Sequence, residues 1–215
     1  MESRREKEKE NRRNLIVGTA EKVFCEKGYD LATMDEIAKK AEFTKKSVYS
    51  YFPTKDELFA AAVLRGVKVL HGLFENAVAS AKSGFDGIAR IGDAYVRFYQ
   101  EYPVYFRILS MRRYGSGDKG GEYRSEIETH GGKVFSLMAE SFSRGQKDGT
   151  IRKDLDPRTG CLHVMSVSNG ILELVMEGKG TFRKRFGISE EDFIRTSMVL
   201  IGDSIGTGKN CGAKK

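Results

Sequence analysis

Residues 33–55 hold the side chains best suited to touch a polyanion. Five lysines, Lys39, Lys40, Lys45, Lys46 and Lys55, stand between positions 39 and 55 against a single acid, Glu42. Lysine bonds guanine acceptors or phosphate oxygens, and hydroxyls such as those of Thr44, Ser47, Tyr49 and Tyr51 are common phosphate donors. Thr33 followed by Glu36 is a capping box, so a helix begins at Met34. Thr44 caps a second short helix starting at Lys45, with Val48 and Phe52 turned inward and Phe43 filling the gap. Two short helices joined by a tight turn predict a helix-turn-helix, whose second helix enters the major groove by its N-terminal half. Lys45, Lys46 and Ser47 lie on its leading turn, and Tyr49 and Tyr51 are assigned to the same outer side. Thr54 and Glu57 form another capping box, and the free N–H groups beside Lys55 make a phosphate seat. The same spacings also fit an ordinary helical hairpin with a solvated lysine face.

No other chemistry competes. The sequence has no nucleophile–base pairing, phosphate-cradling glycine motif or metal spacing, so no enzyme, metal or cofactor is expected. Cys161 and His163, two residues apart, fall on different helix faces. The three cysteines are too scattered for a disulfide framework and suit a reducing cytoplasm. The longest apolar run, Leu58 to Leu64, is far short of the ~20 residues that span a bilayer, so no membrane partner is expected. The charged N-terminus has no apolar stretch of the kind a secretory signal needs. The net charge of +7 invites a polyanionic partner, yet residues 1–60 hold 13 basic and 12 acidic side chains. The useful charge is local, around one short helix.

The elements that must carry these residues are helical. Apolar side chains recur at 3.6-residue spacing, as in Leu15, Ile16, Thr19, Ala20, Val23 and Phe24. Val104 to Leu109 has strand-like composition but no strand to pair with, and is read as a buried helix. The expectation is an all-α chain of about nine helices. A boundary is expected near residue 55, with short helices before it and long ones after, residues 1–10 flexible and 207–215 a disordered tail. Glycines at 115, 117, 120 and 121 mark a flexible loop.

The stretch 15–59 resembles the TetR family of bacterial transcriptional regulators. The likeness rests on Ala20, Phe24, Gly28, Tyr29, Thr33, Ile37, Ala38, Ala41, Val48, Tyr49, Tyr51, Phe52, Lys55, Leu58 and Phe59, and most specifically on the string YSYFPTKDELF. It covers about one-fifth of the chain, and it implies a three-helix DNA-binding domain over 1–55 and a larger helical body for ligand binding and dimerisation over 56–206. The resemblance implies a ligand-responsive repressor that binds a palindromic double-stranded operator as a homodimer and is released by a small hydrophobic inducer. Tyr49, Lys55 and the helix start at Thr33 and Met34 would then contact phosphates, and Lys45, Lys46, Ser47 and Tyr51 would lie in the groove. Two positions depart from the family pattern. Glu42 stands where glycine is frequent, and Gly18 where alanine is usual. A helical protein-interaction module with a degenerate DNA-binding head is the competing reading.

Beyond the head, the expectations come from residue physics. Asp156-Pro157 starts a helix apolar around most of its circumference, with small residues that permit close approach. Leu162, Ser166 and Gly170, with Phe193, Ser197 and Ile201 of the last helix, are assigned to a four-helix dimer interface. Closure of the monomer core is the alternative role for both helices. An aromatic, mostly apolar inducer pocket is assigned to Tyr95, Tyr99, Tyr105, Met111, Phe135, Met138 and His163.

Overall fold

The computed structural model describes residues 4–115 and 121–207. Those residues form ten helices: α1 (Arg4–Leu31), α2 (Met34–Lys40), α3 (Lys45–Tyr51), α4 (Lys55–Val78), α5 (Gly84–Glu101), α6 (Pro103–Gly115), α7 (Arg124–Asp148), α8 (Pro157–Gly178), α9 (Phe182–Phe186) and α10 (Glu190–Ile205). A 3₁₀ turn, Gly121–Tyr123, precedes α7. The chain is all-α as expected, and 104–109 is helical within α6. Loop residues 116–120 and tail residues 208–215 lie outside the described residues.

Helix starts follow the capping side chains. Thr33, Thr44 and Thr54 each accept a hydrogen bond from the backbone N–H three residues on, at 3.1 to 3.2 Å. Asp156 accepts from Thr159 N at 2.9 Å, with Pro157 in the first turn of α8. α1 breaks at Gly28, whose φ of 80° and ψ of 169° belong to a region that only glycine enters without strain. That single residue turns the chain toward α2.

The chain divides into two compact units, and the division is discontinuous in sequence. The first unit joins Met1–Val69 to Tyr102–Gly131. Its core takes Ile16, Val23 and Phe24 from α1, Ile37 from α2, Val48 and Phe52 from around α3, and Leu58 from α4. Ile108, Tyr123 and Ile127 reach the same core from far downstream. One charge is buried there. Glu21 is 8% exposed and meets Arg65 at 3.2 Å, and Arg65 also bonds the Asn14 side chain. Burial pushes the Glu21 carboxyl above its ordinary range, against the pull of Arg65 and of the Tyr105 hydroxyl.

The second unit joins Leu70–Glu101 to Gly132–Lys215. Phe98, Phe142, Leu172 and Val175 are fully buried in it. α10 packs on α8 and α5, and one antiparallel bridge, Ile151 with Gly206, ties the loop after α7 to the end of α10. α5 begins so close to α7 that a side chain at Gly84 would collide with the Gly145 backbone. No described helix is long and apolar enough to cross a membrane.

Two glycines of α1 should respond oppositely to alanine. A Cβ at Gly18 meets nothing within 4 Å, so Gly18→Ala should raise stability by about 0.5–1 kcal/mol in urea denaturation. Gly28→Ala should lower it by about 1–3 kcal/mol, the cost of forcing a Cβ into that backbone region.

The Asp156 cap should also give an acid dependence. The Thr159 backbone N–H holds its carboxyl below the usual value of 3.8. Its contribution is therefore complete above that value and is lost as pH falls through the depressed one. Asp156→Asn keeps a capping oxygen, so its melting temperature should stay near wild type at pH 7 and fall less steeply below pH 4, about the unfolded carboxyl value.

Candidate nucleic-acid interface

α3 is built to present one face and bury the other. Val48 and Phe52 are fully buried, whereas Thr44, Lys45, Lys46 and Tyr49 are exposed and Ser47 is half-buried. Phe43 packs partly buried against the same core, filling the turn. Between α2 and α3, Glu42 adopts a φ of 59°, the left-handed conformation expected where glycine is usual. Tyr51 departs from its assigned outer side. It is half-buried against the core, because positions 49 and 51 stand roughly 200° apart on a helix.

Folding also rearranges the charge. Lys45 pairs with Asp35 at 2.8 Å, Lys40 with Glu26 at 2.7 Å, and Lys27 with Glu36 at 2.8 Å. The lysine window therefore meets acids from α1 and α2 that a linear count of residues 39–55 omits. Hydrogen bonding to Asp35 raises the Lys45 ammonium, and Glu26 does the same for Lys40. Lys27 holds the Glu36 carboxyl below its usual range. This explains why only half of the first capping box forms: the Glu36 carboxylate turns to Lys27 and, at 3.5 Å, to Lys40 rather than back to Thr33. These pairs are solvent-exposed, a class worth little in water, so an incoming phosphate can displace them. Among the described residues Lys46 has no acidic partner, and it stands exposed one residue further along.

Lys55 is placed differently from its expected phosphate seat. Its ammonium donates to the backbone carbonyls of Tyr29 at 2.9 Å, Ala32 at 3.1 Å and Asp30 at 3.3 Å. It also lies 4.3 Å from the centre of the Tyr29 ring, whose hydroxyl donates to Asp56. An ammonium has three donors, and three carbonyls take them all. Burial, followed by the Asp56 contact, pushes the Tyr29 phenol well above its ordinary range. The sequence signal for this clasp is the pairing of Tyr29 with Lys55-Asp56, of which Lys55 alone is expected at DNA.

Comparison with known proteins bears on this geometry. Residues 16–62 match the model of bacterial regulatory proteins of the tetR family, which spans α1 after its first turns, both helices of the motif and the start of α4. That segment is a TetR-type helix-turn-helix domain. Members of this family are regulators of transcription, not enzymes. Over 52 residues the chain is 46% identical to the uncharacterized HTH-type transcriptional regulator YuxN of Bacillus subtilis, an overlap of 24% of this chain but only 17% of that protein. It is 25% identical over 209 residues to YfiR of the same organism, covering 91% of this chain and 95% of that one. In fold it is similar to AibR, solved in complex with isovaleryl coenzyme A and operator DNA. That likeness has a TM-score of 0.69 at 18% identity and covers 88% of this chain and 97% of AibR.

Outside the TetR head, the assigned residues scatter. Leu162, Ser166 and Gly170 are exposed along one line of α8, continued by Leu174. Their assigned partners on α10 point the other way. Ser197 and Ile201 are 9% and 7% exposed because α10 buries the 194/197/201/205 face in its own unit, and Phe193 stacks on Phe182. The outward apolar residues of α10 are Val199 and Leu200.

Of the pocket set, Tyr105 and Met111 belong to the first unit, and Tyr95, Tyr99, Phe135, Met138 and His163 to the second. Tyr95 is half-buried and its hydroxyl donates to Asn169, a half-buried polar residue of α8. Tyr99 is half-buried, and burial raises its phenol. Phe135 is half-buried and Met138 fully so, while His163 is exposed to solvent.

Lys55→Met should lower the stability of the protein by about 1–2 kcal/mol in urea denaturation, the scale of charge-assisted hydrogen bonds at a half-buried site.

Proposed function

We propose that this protein is a TetR-type ligand-responsive repressor, binding a palindromic operator as a homodimer and released by a small, largely apolar inducer. The observation that carries the reading is α3: a capped helix with Lys45, Lys46 and Tyr49 exposed, inside the segment that matches the family model. Its leading turn suits the major groove, with Lys45, Lys46 and Ser47 near base edges. The exposed Tyr49 hydroxyl and the α2 start at Thr33 and Met34 suit flanking phosphates. Lys55 then acts by holding the turn before α2 rather than by touching a phosphate. Tyr51 contributes at most the rim of its ring.

Dimerisation is supported by the exposed line Leu162, Ser166, Gly170 and Leu174 on α8, beside Val199 and Leu200 on α10. The i, i+4 spacing of small and apolar residues suits a helix from a second copy. The inducer class rests on the half-buried Tyr95 and Tyr99 and on the ligand held by AibR. α4 offers a route for the response, since residues 55–69 belong to the first unit and 70–78 to the second. A ligand shifts operator affinity only by its differential affinity for two body states. The protein's place of action is the cytoplasm.

A gel-shift series on the DNA upstream of the protein's own gene tests the reading. Binding should prefer that DNA over random duplex and weaken with salt, each phosphate contact contributing ~0.9 to the log–log slope. Lys46→Ala should lower that slope, whereas Lys45→Ala should also change base preference. Equal affinity at all salt concentrations would overturn the regulator and favour a protein-interaction module.

A further inference from the structure

The family match ends at residue 62, but the first compact unit does not. Residues 102–115 and 121–131 complete it, and the Arg13 side chain lies between that downstream segment and the end of the recognition helix. Arg13 of α1 places its guanidinium 5.6 Å from the centre of the Phe52 ring and 5.3 Å from that of Tyr123. It also donates to the Tyr123 hydroxyl and pairs with Glu122 at 3.5 Å and Glu10 at 3.8 Å. Phe52 is the C-cap of α3 and is fully buried, and Tyr123 is 5% exposed. The Arg13 side chain itself is 30% exposed. A planar cation held between two buried rings, one at the end of the recognition helix and one in the 3₁₀ turn before α7, is a built contact rather than a surface ion pair.

Other contacts hold the same downstream segment on the head. Tyr105 of α6 shares the buried Glu21 with Arg65. Glu126 in the first turn of α7 meets Lys68 of α4 at 2.6 Å. Gly121 lies so close to Glu57, in the first turn of α4, that a Cβ there would come within 2.9 Å of the glutamate side chain. Among these contacts, only the Arg13 contact reaches α3.

We propose that Arg13 is a positioning residue for operator recognition. It fixes the C-terminal end of α3 through Phe52 and makes that position depend on Tyr123, which lies outside the helix-turn-helix sequence. Displacing the 121–123 turn withdraws one face of the guanidinium and loosens α3, so sequence-specific binding falls while general attraction to duplex stays. This gives the regulator a second route into its recognition helix, separate from α4. The assignment rests on the regulator reading proposed above.

The test compares wild type with Arg13→Gln, Tyr123→Phe and Tyr123→Ala in the full chain, using DNA from upstream of its own gene and random duplex. Arg13→Gln and Tyr123→Ala should each weaken binding to the upstream DNA about tenfold while leaving random duplex within about twofold. The salt slope should not change, because Arg13 is assigned no phosphate. Tyr123→Phe keeps the ring and should lie closer to wild type. Hydrogen exchange on the DNA-free variants should show faster exchange in 48–52 with α2 unchanged, a pattern that general destabilisation would not give.

A slope reduced by ~0.9 with equal losses on both DNAs would make Arg13 a direct phosphate contact and overturn the proposal. Unchanged exchange in 48–52 would overturn it as well. Variants that match a sequence-preferring wild type would overturn it alone, whereas a wild type without sequence preference would overturn the regulator reading together with it.

Discussion

The head depends on one clasp. Gly28 breaks α1 just before its end, and the chain must reverse within a few residues so that α2 and α3 can fold back on it. The last turn of a helix leaves carbonyls without N–H partners, and water is their usual remedy. Here the Lys55 ammonium takes the carbonyls of Tyr29, Asp30 and Ala32, while Tyr29 reaches Asp56 on the next residue of the chain. The start of α4 thus closes the end of α1. The position of α2, and through it the presentation of α3, follows from a contact that includes neither helix.

Much of this head was legible in the sequence because its signals are local. Thr33, Thr44 and Thr54 cap where their spacing to the next turn says they should, and the buried pair Val48 and Phe52 follows from helical periodicity. What was not legible depends on residues distant in sequence. Asp35 and Glu26 meet Lys45 and Lys40 only after α1 and α2 pack, so a linear window overstates the free charge around α3. The destination of Lys55 is unreadable for the same reason, since its partners are backbone carbonyls more than twenty residues earlier. Tyr51 could have been placed correctly: two residues along a helix cannot share an outer side.

In the second unit, periodicity located the helices but did not tell one apolar face from another. α8 and α10 both carry more hydrophobic surface than one side needs. Nothing in the order of residues distinguishes Ser197 and Ile201, which pack inward, from Val199 and Leu200, which do not. On α8 the line Leu162, Ser166 and Gly170 is exposed, while Cys161, Val164, Ser168 and Leu172 pack inward. Asn169 shows what a half-buried polar residue requires. A polar side chain on such a helix needs a partner, and Tyr95 supplies it.

The split composition of the first unit has an evolutionary reading. Helix-turn-helix segments are easily pictured as cassettes that recombination joins to new bodies. This one is finished by Ile108, Tyr123 and Ile127, encoded beyond the whole of α5. A crossover between α3 and α4 would deliver a reader whose inner face lacks its far wall, with apolar surface open to water and the Arg13 cation stacked on one ring instead of two. Substitutions at 45 and 46, on the exposed outer turn of α3, ask for no matching change downstream of that helix.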